Sequence, residues 1–182
     1  MEMIETRIKD LYEIRPRVFE DPRGYFFESY NKKVFEGLGI QAEFVQDNQS
    51  LSGKGVLRGL HLQAPPFEQG KLVRVIKGSV LDVAVDIRKG SPTFGQHVAI
   101  ELSEENKKMF WIPPGFAHGF LTLADETIFA YKCTGYYDRN SEMAVRWNDP
   151  ELGIDWGIKD PILSEKDEMA PLLKDFQSPF TL

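Results

Sequence analysis

Val80-Leu81-Asp82-Val83-Ala84-Val85-Asp86-Ile87 puts Leu81, Val83, Val85 and Ile87 on one side of an extended chain and Asp82, Ala84 and Asp86 on the other. A two-residue period marks a β-strand, because successive side chains of an extended backbone point to opposite faces. Gln96 to Leu102 repeats it, with Val98, Ile100 and Leu102 opposed to His97, Ala99 and Glu101. Turn chemistry separates such runs at Lys77-Gly78, Arg88-Lys89-Gly90-Ser91-Pro92, Pro113-Pro114-Gly115 and Ala124-Asp125-Glu126. Short strands at this spacing predict a mainly β sandwich or barrel and not alternating βαβ units. Two stretches read as helix. Asn31 to Gly39 has a capping Asn31, apolar Val34, Phe35 and Leu38, and glycine stops. Ser164 to Lys174 has Ser164 as N-cap, with Glu165, Asp167 and Glu168 in its first turn. No linker or repeat interrupts the chain, so residues 1–182 are expected to form one domain, its tail wrapping onto the barrel.

Composition narrows the function. With 42% hydrophobic and 27% charged residues the chain is ordinary globular protein, not a disordered one. A net charge of -6 at pH 7 provides no broad basic surface, which argues against a nucleic-acid partner. No segment approaches the run of about 20 apolar residues that a membrane helix needs. Met1 to Asp10 carries charges throughout and lacks the apolar centre of a signal peptide. Cys133 is the only cysteine, so no intramolecular disulfide can form; a reducing cytoplasm is the expected location. Within Ile128-Phe129-Ala130-Tyr131-Lys132-Cys133 it reads as a small core residue, not a nucleophile.

The chemistry concentrates around two of the three histidines. His61 closes Arg58-Gly59-Leu60-His61, and His118 closes Pro113-Pro114-Gly115-Phe116-Ala117-His118. The layout predicts two histidines facing each other inside a small barrel. A metal would want several histidines and a carboxylate converging. The inward position after His61 is Gln63, and only Glu68 stands near as a carboxylate, so a metal site is not expected. His97, on the polar face of its strand, reads as a solvated residue. The bland alternative makes His61 and His118 satisfied polar residues of a half-buried strand. Their company argues otherwise: Arg58, Lys71 and Tyr131 join them, and an interior absorbs such a set only around a wet cavity that takes an anionic ligand. Strict alternation puts Arg58 and His61 on opposite faces, so a bulge near Gly59 is required to aim both inward. The constellation suits proton abstraction beside a carbonyl, with imidazole as base, Lys71 at the enolate oxygen and Tyr131 as an acid from the other side.

These residues sit in a longer pattern that resembles the dTDP-4-dehydrorhamnose 3,5-epimerases of the cupin superfamily. The resemblance runs through Asp21-Pro22-Arg23-Gly24-Tyr25-Phe26-Phe27-Glu28-Ser29-Tyr30, Phe44 to Ser50, Val56 to Gln63, Gly70 to Val75, the Val80 to Gly95 hairpin, Pro113 to Phe120 and Tyr131-Lys132-Cys133-Thr134. It implies a cupin-type β-barrel (a jelly roll) with a few short, mostly C-terminal helices, free of metal and cofactor, working as a cytoplasmic homodimer. It further implies inversion of C3 and C5 of dTDP-4-dehydro-6-deoxy-D-glucose to give dTDP-4-dehydro-L-rhamnose. In the resemblance His61 matches the general base, Tyr131 the acid, Lys71 the enolate-stabilising cation and Asp167 the carboxylate that orients the base. Phe19, Arg23, Glu28, Gln46, Asp47, Asn48, Arg58, His118, Glu142 and Lys166 match nucleotide-sugar contacts, and Tyr137, with Tyr136 beside it, the aromatic that stacks on thymine. Asp82 is a rival orienter for His61. Other functions carry over to the same barrel: a nucleotide-sugar 3-epimerase, a 3,4-ketoisomerase, or a sugar-binding cupin without catalysis.

Overall fold

The computed structural model describes residues 1–182. Its strands, in chain order, are β1 (Glu2–Glu5), β2 (Tyr12–Arg15), β3 (Phe19–Asp21), β4 (Gly24–Phe26), β5 (Gln46–Ser52), β6 (Leu57–Gln63), β7 (Lys71–Lys77), β8 (Ser79–Asp86), β9 (His97–Ser103), β10 (Met109–Ile112), β11 (Phe116–Thr122), β12 (Thr127–Cys133) and β13 (Glu142–Ala144). β3 and β4 form a separate hairpin. The others make a six-stranded sheet, β1-β2-β10-β7-β12-β5, and a five-stranded sheet, β13-β6-β11-β8-β9. The mainly β barrel expected from the alternating runs is the architecture found.

Three apolar clusters hold it. Between the sheets, Val73, Val75, Phe110, Ile112 and Phe129 of the first meet Val80, Ala84, Val98, Leu102, Phe116 and Phe120 of the second. On the outside of the five-stranded sheet, Val83, Val85, Ile87, Leu57 and Leu121 lie under Val145, Leu152, Trp156, Leu173 and Phe176 of the tail. Covering a second sheet face this way removes much apolar area from water, at roughly 25 cal/mol per Å². On the six-stranded sheet, Phe35 and Ile40 pack onto Ile14, Leu72, Met109 and Trp111.

The strand that opened the reading therefore has no solvent face. Leu81, Val83, Val85 and Ile87 pack beneath the tail, whereas Val80 and Ala84 line the barrel interior. Alternation sends Asp82 and Asp86 inward with them, and neither retains any exposed surface. Asp86 is neutralised by Arg88, whose Nε and Nη2 donate at 2.9 and 2.8 Å, and Arg88 Nη1 reaches on to Asp10 at 2.7 Å. The partner of Asp82 is a histidine, described below.

The bulge required near Gly59 is present. β11 pairs His118 with His61 and Phe120 with Arg58, so Gly59 and Leu60 on β6 answer Gly119 alone on β11. Gly59 has φ +145°, and a Cβ there would sit 2.5 Å from Gly119 Cα, so only glycine fits this crossing. The extra residue turns Arg58 and His61 toward the same side.

The helices are shorter than the sequence suggests. α1 spans Lys32–Gly37, and Asn31 Oδ1 accepts from Val34 N at 3.4 Å as its cap. α2 covers only Glu165–Glu168, with Ser164 as N-cap; a 3-10 turn follows at Leu173–Asp175. Pro171 explains the break: it has no N–H to donate and disfavours helical backbone at Ala170 before it.

Candidate active site

The open end of the barrel holds a cavity of about 580 Å³ whose wall includes Arg58, His61, Lys71, His118, Tyr131, Lys166 and Asp167. Each sheet contributes. His61 on β6 and His118 on β11 come from the five-stranded sheet, and Lys71 on β7 and Tyr131 on β12 from the six-stranded one. Tyr131 thus stands on the wall opposite His61. The two histidines are direct cross-strand neighbours, side by side instead of facing across the barrel as the sequence suggested.

His61 Nε2 lies 2.5 Å from Asp167 Oδ1. Asp167 is only 2% exposed and sits in the first turn of α2, its N–H bonded to Ser164 Oγ. Burial pushes its carboxyl up, but hydrogen bonding and charge from His61, with support from Ser164 and the Gly59 N–H, leave it below the usual carboxylate range. A carboxylate accepts, so His61 Nε2 carries the hydrogen and Nδ1 is the basic nitrogen. Between the two rivals the geometry pairs His61 with Asp167. Asp82 belongs to His118, whose Nε2 lies 3.0 and 2.9 Å from its two oxygens.

Lys71 Nζ is 6.0 Å from the centroid of the Tyr131 ring. Burial pulls the Lys71 ammonium down from its ordinary value and pushes the Tyr131 phenol up. Arg58 is fixed by Ser52 Oγ, which accepts from Nε at 3.2 Å and Nη2 at 3.1 Å. Arg58, Lys71 and Lys166 bring three positive charges to the cavity wall of a protein whose net charge is -6.

A chain of polar contacts forms the rim. Lys166 Nζ pairs with Glu142, whose Oε2 accepts from Tyr137 OH at 3.1 Å. Tyr137 N donates to Gln46 Oε1 at 3.0 Å, Gln46 Nε2 to Asn48 Oδ1 at 3.1 Å, and Asn48 Nδ2 to the Cys133 sulfur at 3.6 Å. Of the adjacent tyrosines, Tyr137 is the one tied into this rim; Tyr136 offers its carbonyl to Gln63 Nε2 at 3.1 Å.

Gln46, Asn48, Tyr137 and Glu142 stand in this outer chain and not in the cavity lining, and four further expected contacts lie apart from both. Asp47 sits between inward Gln46 and Asn48, so strand alternation turns it outward, where it binds Lys132 at 3.0 Å. Phe19 and Arg23 are on the exposed β3–β4 hairpin, Arg23 holding Asp21 at 2.5 Å. Glu28 accepts from Asn31 Nδ2 at 3.0 Å. His97 is not the solvated residue expected: it is half-buried, with Nδ1 3.1 Å from Leu152 O, and pins the tail to β9. Gln63, weighed as a replaced metal ligand, is spent on backbone: Nε2 donates to Phe67 O at 2.6 Å and Oε1 accepts from Asp138 N at 2.7 Å. Ser52 was missed, although the inward row Gln46, Asn48, Ser50, Ser52 is a period-two polar pattern readable in the sequence.

Comparison with known proteins bears directly on this cavity. The sequence profile of the dTDP-4-dehydrorhamnose 3,5-epimerase family matches residues 5–175. The dTDP-4-dehydrorhamnose 3,5-epimerase of Salmonella typhimurium (strain LT2) is 56% identical over 175 residues, 95% of this chain and 96% of the relative. A crystal structure of dTDP-6-deoxy-D-glucose-3,5-epimerase from Legionella pneumophila Philadelphia 1, in complex with dTDP-4-keto-L-rhamnose, superposes with a TM-score of 0.92 at 54% identity, covering 95% of this chain and 93% of that one. A 3'-monoepimerase from Streptomyces bikiniensis, in complex with dTDP-quinovose, superposes with a TM-score of 0.88 at 32% identity over 93% of this chain and 86% of its own. No helix here is long and apolar enough to cross a membrane.

Proposed function

The chain belongs to the dTDP-4-dehydrorhamnose 3,5-epimerase family, and from that premise we propose that His61, Tyr131, Lys71 and Asp167 carry the inversion of C3 and C5 in dTDP-4-dehydro-6-deoxy-D-glucose. The enzyme is an isomerase whose product is dTDP-4-dehydro-L-rhamnose. The C4 ketone acidifies the hydrogens on both neighbouring carbons. His61 Nδ1 takes one as a proton, the C–H electron pair becomes the enolate, and the Lys71 ammonium stabilises the charge on O4. Tyr131 then gives its phenolic proton to the opposite face of the same carbon; the proton on His61 returns to solvent and the Tyr131 phenolate takes one from solvent, which resets both groups for the second carbon. The observation that carries this reading is the 2.5 Å His61–Asp167 pair facing Tyr131 across a cavity that Lys71 also enters. Lys71 supplies the positive charge that a metal would otherwise bring, so the scheme uses neither metal nor cofactor.

Arg58 and Lys166 suit the pyrophosphate, and Tyr137 at the rim suits thymine. Gln46, Asn48, Glu142 and His118 complete the sugar side. The test is NMR of the product formed in D₂O. Deuterium at both C3 and C5 is expected; label at C3 alone would overturn this reading in favour of a 3-epimerase, the activity of the Streptomyces bikiniensis relative. A displaced carbonyl would instead indicate a ketoisomerase.

The working unit in this proposal is a homodimer in the cytoplasm. The outer face of β5, β12 and β7 exposes Leu51 (64%) and Ile76 (37%) around Arg74, and the β3–β4 hairpin exposes Phe19, Tyr25 and Phe26. An apolar sheet face next to a projecting aromatic hairpin is the surface a second copy would cover. It would also explain why Phe19, Arg23 and Glu28 lie away from the cavity of their own chain. Sedimentation equilibrium should give twice the 20.8 kDa chain mass, and Leu51→Asp should shift it toward the monomer. A wild-type monomer at micromolar concentration would end the dimer proposal. The single buried thiol of Cys133 fits a reducing compartment.

A further inference from the structure

Asp82 is the most costly side chain in the barrel that the scheme above leaves idle. It has no exposed surface, it points into the interior from the middle of β8, and its only hydrogen-bonding partner is His118 Nε2, shared between both carboxylate oxygens. A buried carboxylate costs several kcal/mol of desolvation, and an apolar residue of similar size would serve the fold at least as well. Asp86, two residues along, is held by an arginine, two hydroxyls and a backbone N–H. Asp82 has nothing comparable, so its charge must be answered across the cavity.

We propose that Asp82 is a positioning residue of the epimerase site: it fixes His118 as the Nε2–H tautomer and supplies the buried negative charge that keeps Lys71 an ammonium. The first half follows from hydrogen-bond roles. An ionised carboxylate only accepts, so Nε2 donates and Nδ1 of His118 is left without a protein partner, an acceptor for a sugar hydroxyl on the cavity wall. The second half follows from charge. Lys71 shares the cavity wall with His61 on β6, His118 on β11 and Tyr131 on β12, is paired across the sheet with Cys133, and feels the charges of Asp82 on β8 and Glu142 on β13. Asp167 is committed to His61, and Glu142 to Lys166 and Tyr137. Asp82 is the one carboxylate in that set with no basic partner but an imidazole that burial keeps neutral, so it is the anion left to balance Lys71. An ammonium is needed at O4 because a neutral amine cannot offset enolate charge.

This inference rests on the epimerase reading of the cavity, and its test separates the two. Asp82→Asn keeps the shape and, through Oδ1, an acceptor for His118, but removes the charge. Losing an anionic neighbour lowers an ammonium's pKa, so the alkaline limb of the kcat–pH profile should move toward acid by about one pH unit. Above that limb kcat should fall about tenfold, with KM changed much less. Burial raises the Tyr131 phenol whereas it draws the Lys71 ammonium down, so a limb that moves toward acid is assigned to Lys71. An unmoved limb in a folded, active variant would reduce Asp82 to a structural residue. For a variant that fails to fold or turn over, the decision passes to the wild-type enzyme: with only three histidines, ¹⁵N-histidine NMR resolves each ring. His118 should show a protonated Nε2 and an unprotonated Nδ1 across neutral pH; a protonated Nδ1 overturns the proposal. That measurement needs no activity, so it stands or falls apart from the assignment of His61 as base.

Discussion

His61→Asn should cut incorporation of solvent deuterium at C3 and C5 of the keto sugar by roughly 10²- to 10⁴-fold, the range that a positioned general base contributes. The prediction is large because the site gives His61 no understudy. His118 is the weaker base of the two, because burial holds its ring below the ordinary imidazole range, with the charges of Lys71 and His61 adding to that effect. Glu142 is drawn below the normal carboxylate range as Lys166 and Tyr137 outweigh its burial, which makes it a poor base. Asparagine nearly matches imidazole in reach and keeps a donor toward Asp167, so binding should survive while proton transfer fails. Exchange measured by NMR before product accumulates isolates the abstraction step from inversion. Wild-type rates of exchange in a folded His61→Asn protein would remove His61 from its role. In the proposed mechanism the carboxylate of Asp167 stabilises the imidazolium as it forms, so it belongs to the same step, and the 2.5 Å contact ties that step to the position of α2.

How much of this was legible beforehand depends on the range of the interaction. Local alternation over Val80–Ile87 and Gln96–Leu102 identified strands, and the conflict between Arg58 and His61 on one strand demanded the bulge that Gly59 provides. Those are short-range constraints, written into neighbouring residues. The sense of the faces was not legible. In β8 the apolar side packs under the tail and the polar side faces the interior, because the tail after β13 supplies a second apolar layer that no periodicity announces. The same blindness misread His97, whose ring partner Leu152 belongs to that tail. Pairings across the chain were beyond composition and spacing: Asp167 is 106 residues from His61, and only the family resemblance linked them. The choice between Asp167 and Asp82 needed coordinates, since both are acids at positions that could turn inward. Phe19, Arg23 and Glu28 mark a further limit: the resemblance implies them as contacts, yet they lie away from the cavity of this chain.

Tyr131→Phe should separate exchange from inversion. The phenol is on β12, on the wall facing His61, so it delivers its proton to the carbon face that the imidazole cannot reach. Burial raises its pKa, which keeps the group protonated through neutral pH and ready to donate. Removing the hydroxyl leaves base, oxyanion partner and orienting carboxylate in place. His61 should therefore still lift and return the proton at C3 on its own face, and washout of label there should fall by less than about tenfold. Inverted product, which requires the other face, should fall by roughly 10²-fold or more. The fold should scarcely notice. The ring packs 5.9 Å from Phe129, and nearby Asn48 keeps its bonds to Gln46 and to the Cys133 sulfur at 3.6 Å. A melting midpoint shifted by more than several degrees would mean that lost structure, not a lost acid, explains the kinetics. Equal loss of exchange and inversion in a stable variant would show that no dedicated acid stands opposite the base. Proton delivery would then fall to water, and stereochemical control would have to come from the pose of the enolate instead of from Tyr131.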